Sequence, residues 1–179
     1  MSVFENTCRD KKIEYPPSDV VAEFSDAEGS CLDLGELEGV TLNNEFTIGL
    51  WARNGFFPAG RDTPPKRIIA LGLDENAISV IVQRRGVNDI LRLVMQAGGE
   101  VFETETSEQD KLGKMTDFSN WYHLAVTVKA GEFVRFYING RHIFRHSVNV
   151  PANFSFSDLT KNLVADSYPG KISNLRLWN

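Results

Sequence analysis

An all-β fold of two antiparallel layers is what this sequence predicts, on three observations. The first is the stretch Trp121–Gly140, where Tyr122, Leu124, Val126 and Val128 fall on one side of a strand and Trp121, His123, Ala125 and Thr127 on the other. The second is the succession of short runs rich in β-branched and aromatic residues, about ten in all, with turn-forming residues between them. The third is that no segment keeps an apolar repeat of helical period over three turns.

Taken in order, residues 1–19 are polar and end in Tyr15-Pro16-Pro17-Ser18, which reads as a loose arm ahead of a domain over 20–179. Val20–Phe24 is the first strand, Ser25–Ser30 a turn, Cys31–Leu34 a short strand and Gly35–Asn44 a loop. Glu45–Arg53 alternates cleanly, with Phe46, Ile48, Leu50 and Ala52 toward the core and Thr47, Gly49 and Trp51 on the opposite face. Asn54–Lys66, carrying Phe56 and Phe57, is a long loop of the kind that often serves function. Arg67–Leu73 is apolar on both faces, as a central strand should be.

Ala77–Arg84 and Ile90–Ala97 form the next pair, turning through Arg85–Asp89. Leu91, Leu93 and Met95 share one face there, and Ile90, Arg92, Val94 and Gln96 the other. Gly98–Asp117 is hydrophilic and leaves room for one edge strand and a lengthy connection. The hairpin Trp121–Gly140 then turns at Lys129–Glu132, sends Val134, Phe136 and Ile138 inward against Phe133, Arg135 and Tyr137, and ends on Asn139-Gly140, which accepts the positive φ of a tight reversal. Arg141–Val150 follows, Pro151–Ser167 reads as irregular, and Gly170–Asn179 is a closing strand.

With 19 Lys and Arg against 24 Asp and Glu and a net charge of −5, the chain lacks the clustered cations that nucleic acid requires. The pairs Lys11-Lys12 and Arg84-Arg85 read as solvated surface. No apolar run approaches the roughly 20 residues of a membrane helix, so membrane insertion is not expected. The start MSVFENTCRDKKIEY lacks the apolar stretch of a secretory signal, which fits a cytosolic protein or a piece of a longer chain. Cys8 and Cys31 fit a bridge from the arm to the body and fit two thiols equally well. Asn153-Phe154-Ser155 is a glycosylation sequon, a triplet that often arises by chance.

Four stretches, in this order, carry a resemblance to a known family. They are Phe24-Ser25-Asp26 through Cys31-Leu32-Asp33-Leu34-Gly35, then Phe46–Trp51, then Trp121–Thr127 with Phe136–Gly140, then Gly170–Asn179. Together they resemble the concanavalin A-like jelly rolls, the laminin G-like branch above all, over nearly the whole chain from Val20. The resemblance implies an antiparallel two-sheet jelly-roll β-sandwich, an extracellular setting and a calcium site on the rim. The chain departs from the family pattern at Ser25-Asp26-Ala27 and at Ser173, and both departures weaken an inherited calcium site.

Several constellations bear on chemistry. Glu103, Glu105 and Glu108 have the spacing of the acids in glucanases of this superfold, and alternate strand residues lie near the ~5–5.5 Å carboxyl separation of a retaining pair. Their neighbours Thr104, Thr106 and Ser107 do not anchor a catalytic strand, and the chain is read as a non-enzyme. His142 and His146 have a helical metal spacing but follow a hairpin turn, so they read as surface residues. Calcium is the one cofactor that the oxygen-rich loops admit, with Asp26, Asp33 and Asp166 as nominees.

The last constellation is a face. Trp51, Arg92, His123, Arg135, Tyr137, Arg176 and Trp178 occupy alternate strand positions, and rings with cationic donors suit a sugar. Large rings there also brace a sheet through cross-strand pairs. The expectation is a non-catalytic recognition domain that binds a glycan or a protein, with ligand contacts from Trp51, Phe56, Phe57, His123, Arg135, Tyr137 and, at the rim, Tyr168. The alternative is an assembly module without a small ligand, oligomeric through its exposed Phe pair and arm.

Overall fold

The computed structural model describes residues 21–25, 30–54, 62–73, 76–86, 88–106, 120–143, 150–157, 159–166 and 168–179. Among them every regular element is a strand and every pairing is antiparallel. The strands are β1 (Ala22–Phe24), β2 (Leu32–Asp33), β3 (Leu42–Asn43), β4 (Glu45–Asn54), β5 (Lys66–Leu73), β6 (Asn76–Arg85), β7 (Asn88–Ala97) and β8 (Glu100–Glu105). They continue as β9 (Tyr122–Lys129), β10 (Phe133–Ile138), β11 (Arg141–His142), β12 (Ser155–Phe156), β13 (Asn162–Val164) and β14 (Gly170–Trp178).

Two six-stranded sheets result, ordered β1-β14-β4-β9-β10-β11 and β2-β13-β5-β6-β7-β8, with β12 and β3 as a separate pair. Period-two alternation decides what lies between the sheets. Phe46, Ile48, Leu50, Leu124, Val126, Val128, Val134 and Phe136 from the first sheet, and Ile69, Leu71, Ile78, Val80, Val82, Leu91, Leu93 and Met95 from the second, belong to one buried cluster. Fully burying a side chain of this size is worth about 1.5–3 kcal/mol, so this double lining is the main source of stability.

Three expectations need correction. Gly35–Asn44, expected as loop, contains β3, and Pro151–Ser167, expected as irregular, contains β12 and β13. The latter is a full member of the second sheet, between β2 and β5. Its Asn162 is completely buried, accepting from Gly72 N and donating to the carbonyls of Gly35 and Leu159. Two or three residues are too short for an alternation pattern, which is why only the pairing partners reveal these strands.

The third correction concerns Arg84. Read as solvated, it is 1% exposed and points inward in phase with Val80 and Val82. Its Nε and Nη2 donate to Asp89 Oδ1 at 2.9 and 2.8 Å. Burial raises the Asp89 carboxyl above its ordinary value, although the hydrogen bond and charge of Arg84 pull the other way. Thr63 closes over the pair, accepting at its Oγ1 from Arg84 N.

Candidate functional site

The site is built on the outward face of the first sheet, where the registers of β10, β9, β4 and β14 set side chains in rows. One row reads Arg135, Thr127, Thr47, Trp178; the next reads Tyr137, Ala125, Gly49, Arg176. A third joins His123, Trp51 and Ser173. With strands ~4.8 Å apart, the rows run ~14 Å from the β10 edge to β14.

The middle of these rows is small. Thr47, Gly49, Ala125 and Thr127 form a floor two strands wide, with the Thr47 and Thr127 hydroxyls 3.1 Å apart. Arg135 and Tyr137 stand on one side of it, Arg176 and Trp178 on the other. Trp178 is 45% exposed, a large ring turned to solvent. Its ring is seated on the floor, because a Cβ added to Gly49 would lie 2.9 Å from Trp178 Cζ3 and 3.6 Å from His123 Nε2. Gly49 therefore has a packing reason to be glycine: it lets an indole rest on the sheet.

The outward phase of Arg176 and Trp178 depends on an irregularity in β14. Ser173 pairs with Trp51, and the next register pair is Arg176 with Gly49, so one extra residue is inserted. Asn174 carries the left-handed backbone this requires, with φ at 54°. Its Oδ1 accepts from Arg176 Nε at 2.9 Å and orients that guanidinium.

Beside Trp178 the face opens into a cleft of about 490 Å³ lined by Asn43, Asn44, Glu45, Phe46, Thr47, Trp178 and Asn179. The amide oxygens of Asn43, Asn44 and Asn179 accept from Ser155 Oγ, Phe154 N and Asn43 N. Their amide nitrogens have no partner among the described residues, which leaves three donors beside an open ring.

The electrostatics of the face are distinctive. Its strands point Arg53, Lys129, Arg135, Lys171 and Arg176 outward against Glu23 and Glu45, on a chain whose net charge is −5. Lys129 pairs with Glu132 and Lys171 with Glu23. Arg135 and Arg176 have no carboxylate partner among the described residues; Arg135 lies 3.8 Å above the centroid of Phe133. Half-burial, and then the charge of Arg176, hold His123 below the ordinary histidine value.

The expected ligand residues divide as follows. His123, Arg135 and Tyr137 stand on this face as alternation predicts, with the Tyr137 ring 5.4 Å from that of His142. Trp51 points the right way but is only 7% exposed, set edge-on to His123 at 5.3 Å, so it supports the face without being offered by it. Tyr168 is not at the rim: it is fully buried, and burial together with Asp89 pushes its hydroxyl pKa far up. Phe56 and Phe57 lie outside the described residues, as do Asp26, Cys8, His146 and Glu108. Of the other calcium nominees, Asp33 caps Gly35 N at 2.8 Å and Asp166 pairs with Arg67 at 3.3 Å. No three metal-binding side chains converge among the described residues.

The floor, the three Asn donors and the central place of Trp178 were not singled out from the sequence. A lone glycine between Ile48 and Leu50 in a strand pattern was the available signal, since it marks a close approach.

Comparison with known proteins bears on the fold. A laminin G family model, described as the concanavalin A-like lectin/glucanases superfamily, matches residues 26–179. No curated protein matches the chain. The botulinum neurotoxin serotype D binding domain is similar at 11% identity and a TM-score of 0.64, over 88% of this chain and 38% of that one. The binding domain of Paraclostridial mosquitocidal protein 1 gives 18%, 0.55, 87% and 38%. The enzymatically active domain of tailspike protein 2 from bacteriophage CBA120 gives 16%, 0.52, 76% and 23%. The chain thus spans less than two fifths of each of these neighbours, and identities this low establish the shared fold alone.

Proposed function

We propose, from the premise that the chain belongs to the concanavalin A-like lectin/glucanases superfamily, that it is a non-catalytic recognition domain whose outer first-sheet face binds a glycan. The observation that carries this reading is the solvent-facing Trp178 ring seated on Gly49, beside the unengaged amide donors of Asn43, Asn44 and Asn179. A ring offers its face to the C–H surface of a sugar, and amides at its border take the hydroxyls. Two of the neighbours named above are binding domains, which supports recognition as the role.

The tailspike neighbour is titled enzymatically active, so catalysis is the reading to weigh against this one. Two of the acids that matched a glucanase spacing, Glu103 and Glu105, are otherwise engaged. Partial burial pushes the Glu105 carboxyl up, but hydrogen bonds and charge from Arg85 and Arg92 outweigh it and hold it below its ordinary value. Glu103 pairs with Arg92 at 3.3 Å. A carboxylate kept ionised by two guanidinium groups is a poor proton donor.

A glycan array probed with the folded domain tests the proposal. Saturable binding, reduced at least tenfold by Trp178→Ala and by Tyr137→Ala with unchanged circular dichroism, is the expected result. A folded domain that binds no glycan overturns it; capture of one protein partner through the same residues would move the reading to protein recognition.

A further inference from the structure

We infer that the saccharide taken by this face is anionic, bearing carboxylate or sulfate groups, with Arg135 and Arg176 as the residues that select for them. This rests on the glycan reading above and names its ligand class. On the second sheet the outward arginines are neutralised within the chain: Arg67 by Asp166, Arg85 by Glu105, and Arg92 by Glu103 and Glu105. On the first sheet Arg135 and Arg176 are held in position by neutral groups, the Phe133 ring and the Asn174 amide. Each guanidinium is thereby held without a carboxylate partner among the described residues, on an exposed residue whose planar fork of donors matches a carboxylate or sulfate.

Their placement adds a geometric requirement. They stand on β10 and β14, three strand spacings and one row apart, with the small floor of Thr47, Gly49, Ala125 and Thr127 between them. A ligand touching both must lie across the strands with acidic groups toward each end, a demand that an oligosaccharide meets and a single ring does not. Among the described residues, five outward strand cations stand against Glu23, Glu45 and the turn residue Glu132, on an otherwise acidic chain, an excess that would draw such a ligand to this face.

The test compares four probes by fluorescence anisotropy: an oligogalacturonate, a heparin-derived oligosaccharide, neutral cellohexaose and poly-glutamate. An acidic oligosaccharide should bind at least tenfold more tightly than cellohexaose and weaken as sodium chloride rises from 50 to 500 mM, since exposed charges are screened over about 10 Å at 0.1 M. The exposed Arg135→Ala/Arg176→Ala pair should abolish that preference and leave thermal unfolding unchanged, while Arg67→Ala, which removes one charge from the second sheet, should leave it intact. Carboxylate and sulfate arms report which group is read. Equal binding of cellohexaose overturns the inference and leaves the glycan reading standing. Poly-glutamate binding as tightly as the acidic sugars overturns the saccharide requirement. Failure of every probe counts against both.

Discussion

The outward faces of the two sheets obey the same alternation and are finished in opposite ways. On the second sheet, Arg85, Arg92, Glu103 and Glu105 close on one another, with Arg85 bidentate to Glu105 at 2.6 and 2.9 Å. On the first, Arg135 and Arg176 stand beside a ring and an amide, and the exposed Trp178 ring sits on a glycine. Cross-strand charge pairing is available to any antiparallel face. Among the described residues it joins the arginines of the second face and passes over Arg135 and Arg176 on the first.

That contrast can be broken or sharpened from the second sheet outward. Its most demanding charge pair is internal: Arg84→Met leaves Asp89 buried without a counter-ion and should cost about 3–5 kcal/mol, read as a drop in the urea midpoint. Arg84→Met with Asp89→Leu should recover most of the loss, because the desolvated charge goes as well. On the first sheet, Gly49→Ala places a methyl against the Trp178 ring and should cost roughly 1–3 kcal/mol, with a blue or red shift in tryptophan emission as the indole moves.

Acid acts next. His123 has its pKa lowered in the folded chain, whereas the unfolded chain titrates near 6.5. The unfolded state therefore binds the proton more readily, so stability present above pH ~6.5 is lost as pH falls below it. His123→Gln should flatten the difference between urea midpoints at pH 7.5 and 5.5. The smallest effect belongs to the exposed network: Glu105→Gln should change stability by ~1 kcal/mol or less, as half-exposed ion pairs do.

Much of the architecture was legible because long strands repeat their signal. In Glu45–Arg53 and in the hairpin from Trp121, each face was read correctly down to the residue, and the registers of β4, β9 and β10 follow. What alternation does not carry is the content of the space beyond a face. It put Trp51 outward but could not show His123 lying against it, and it said nothing of Tyr168, whose ring enters the sandwich from a turn-rich stretch. Arg84 was misjudged for a related reason: two adjacent arginines on a strand must point to opposite sides, and one of them had to find Asp89 inside. The small floor of Thr47, Gly49, Ala125 and Thr127 gives no such signal, because its side chains are too short to mark a face by size.

The extra residue at Asn174 decides more than local pairing. Counting in twos from Ser173 with Asn174 paired as an ordinary strand residue would send Arg176 and Trp178 into the hydrocarbon interior and expose Leu175 and Leu177. Flattening the bulge with every residue kept would turn the last four side chains of the strand inside out, whereas deleting Asn174 would keep their phase. The outward placement of the ring and guanidinium on which the proposed recognition rests is thus a matter of odd and even.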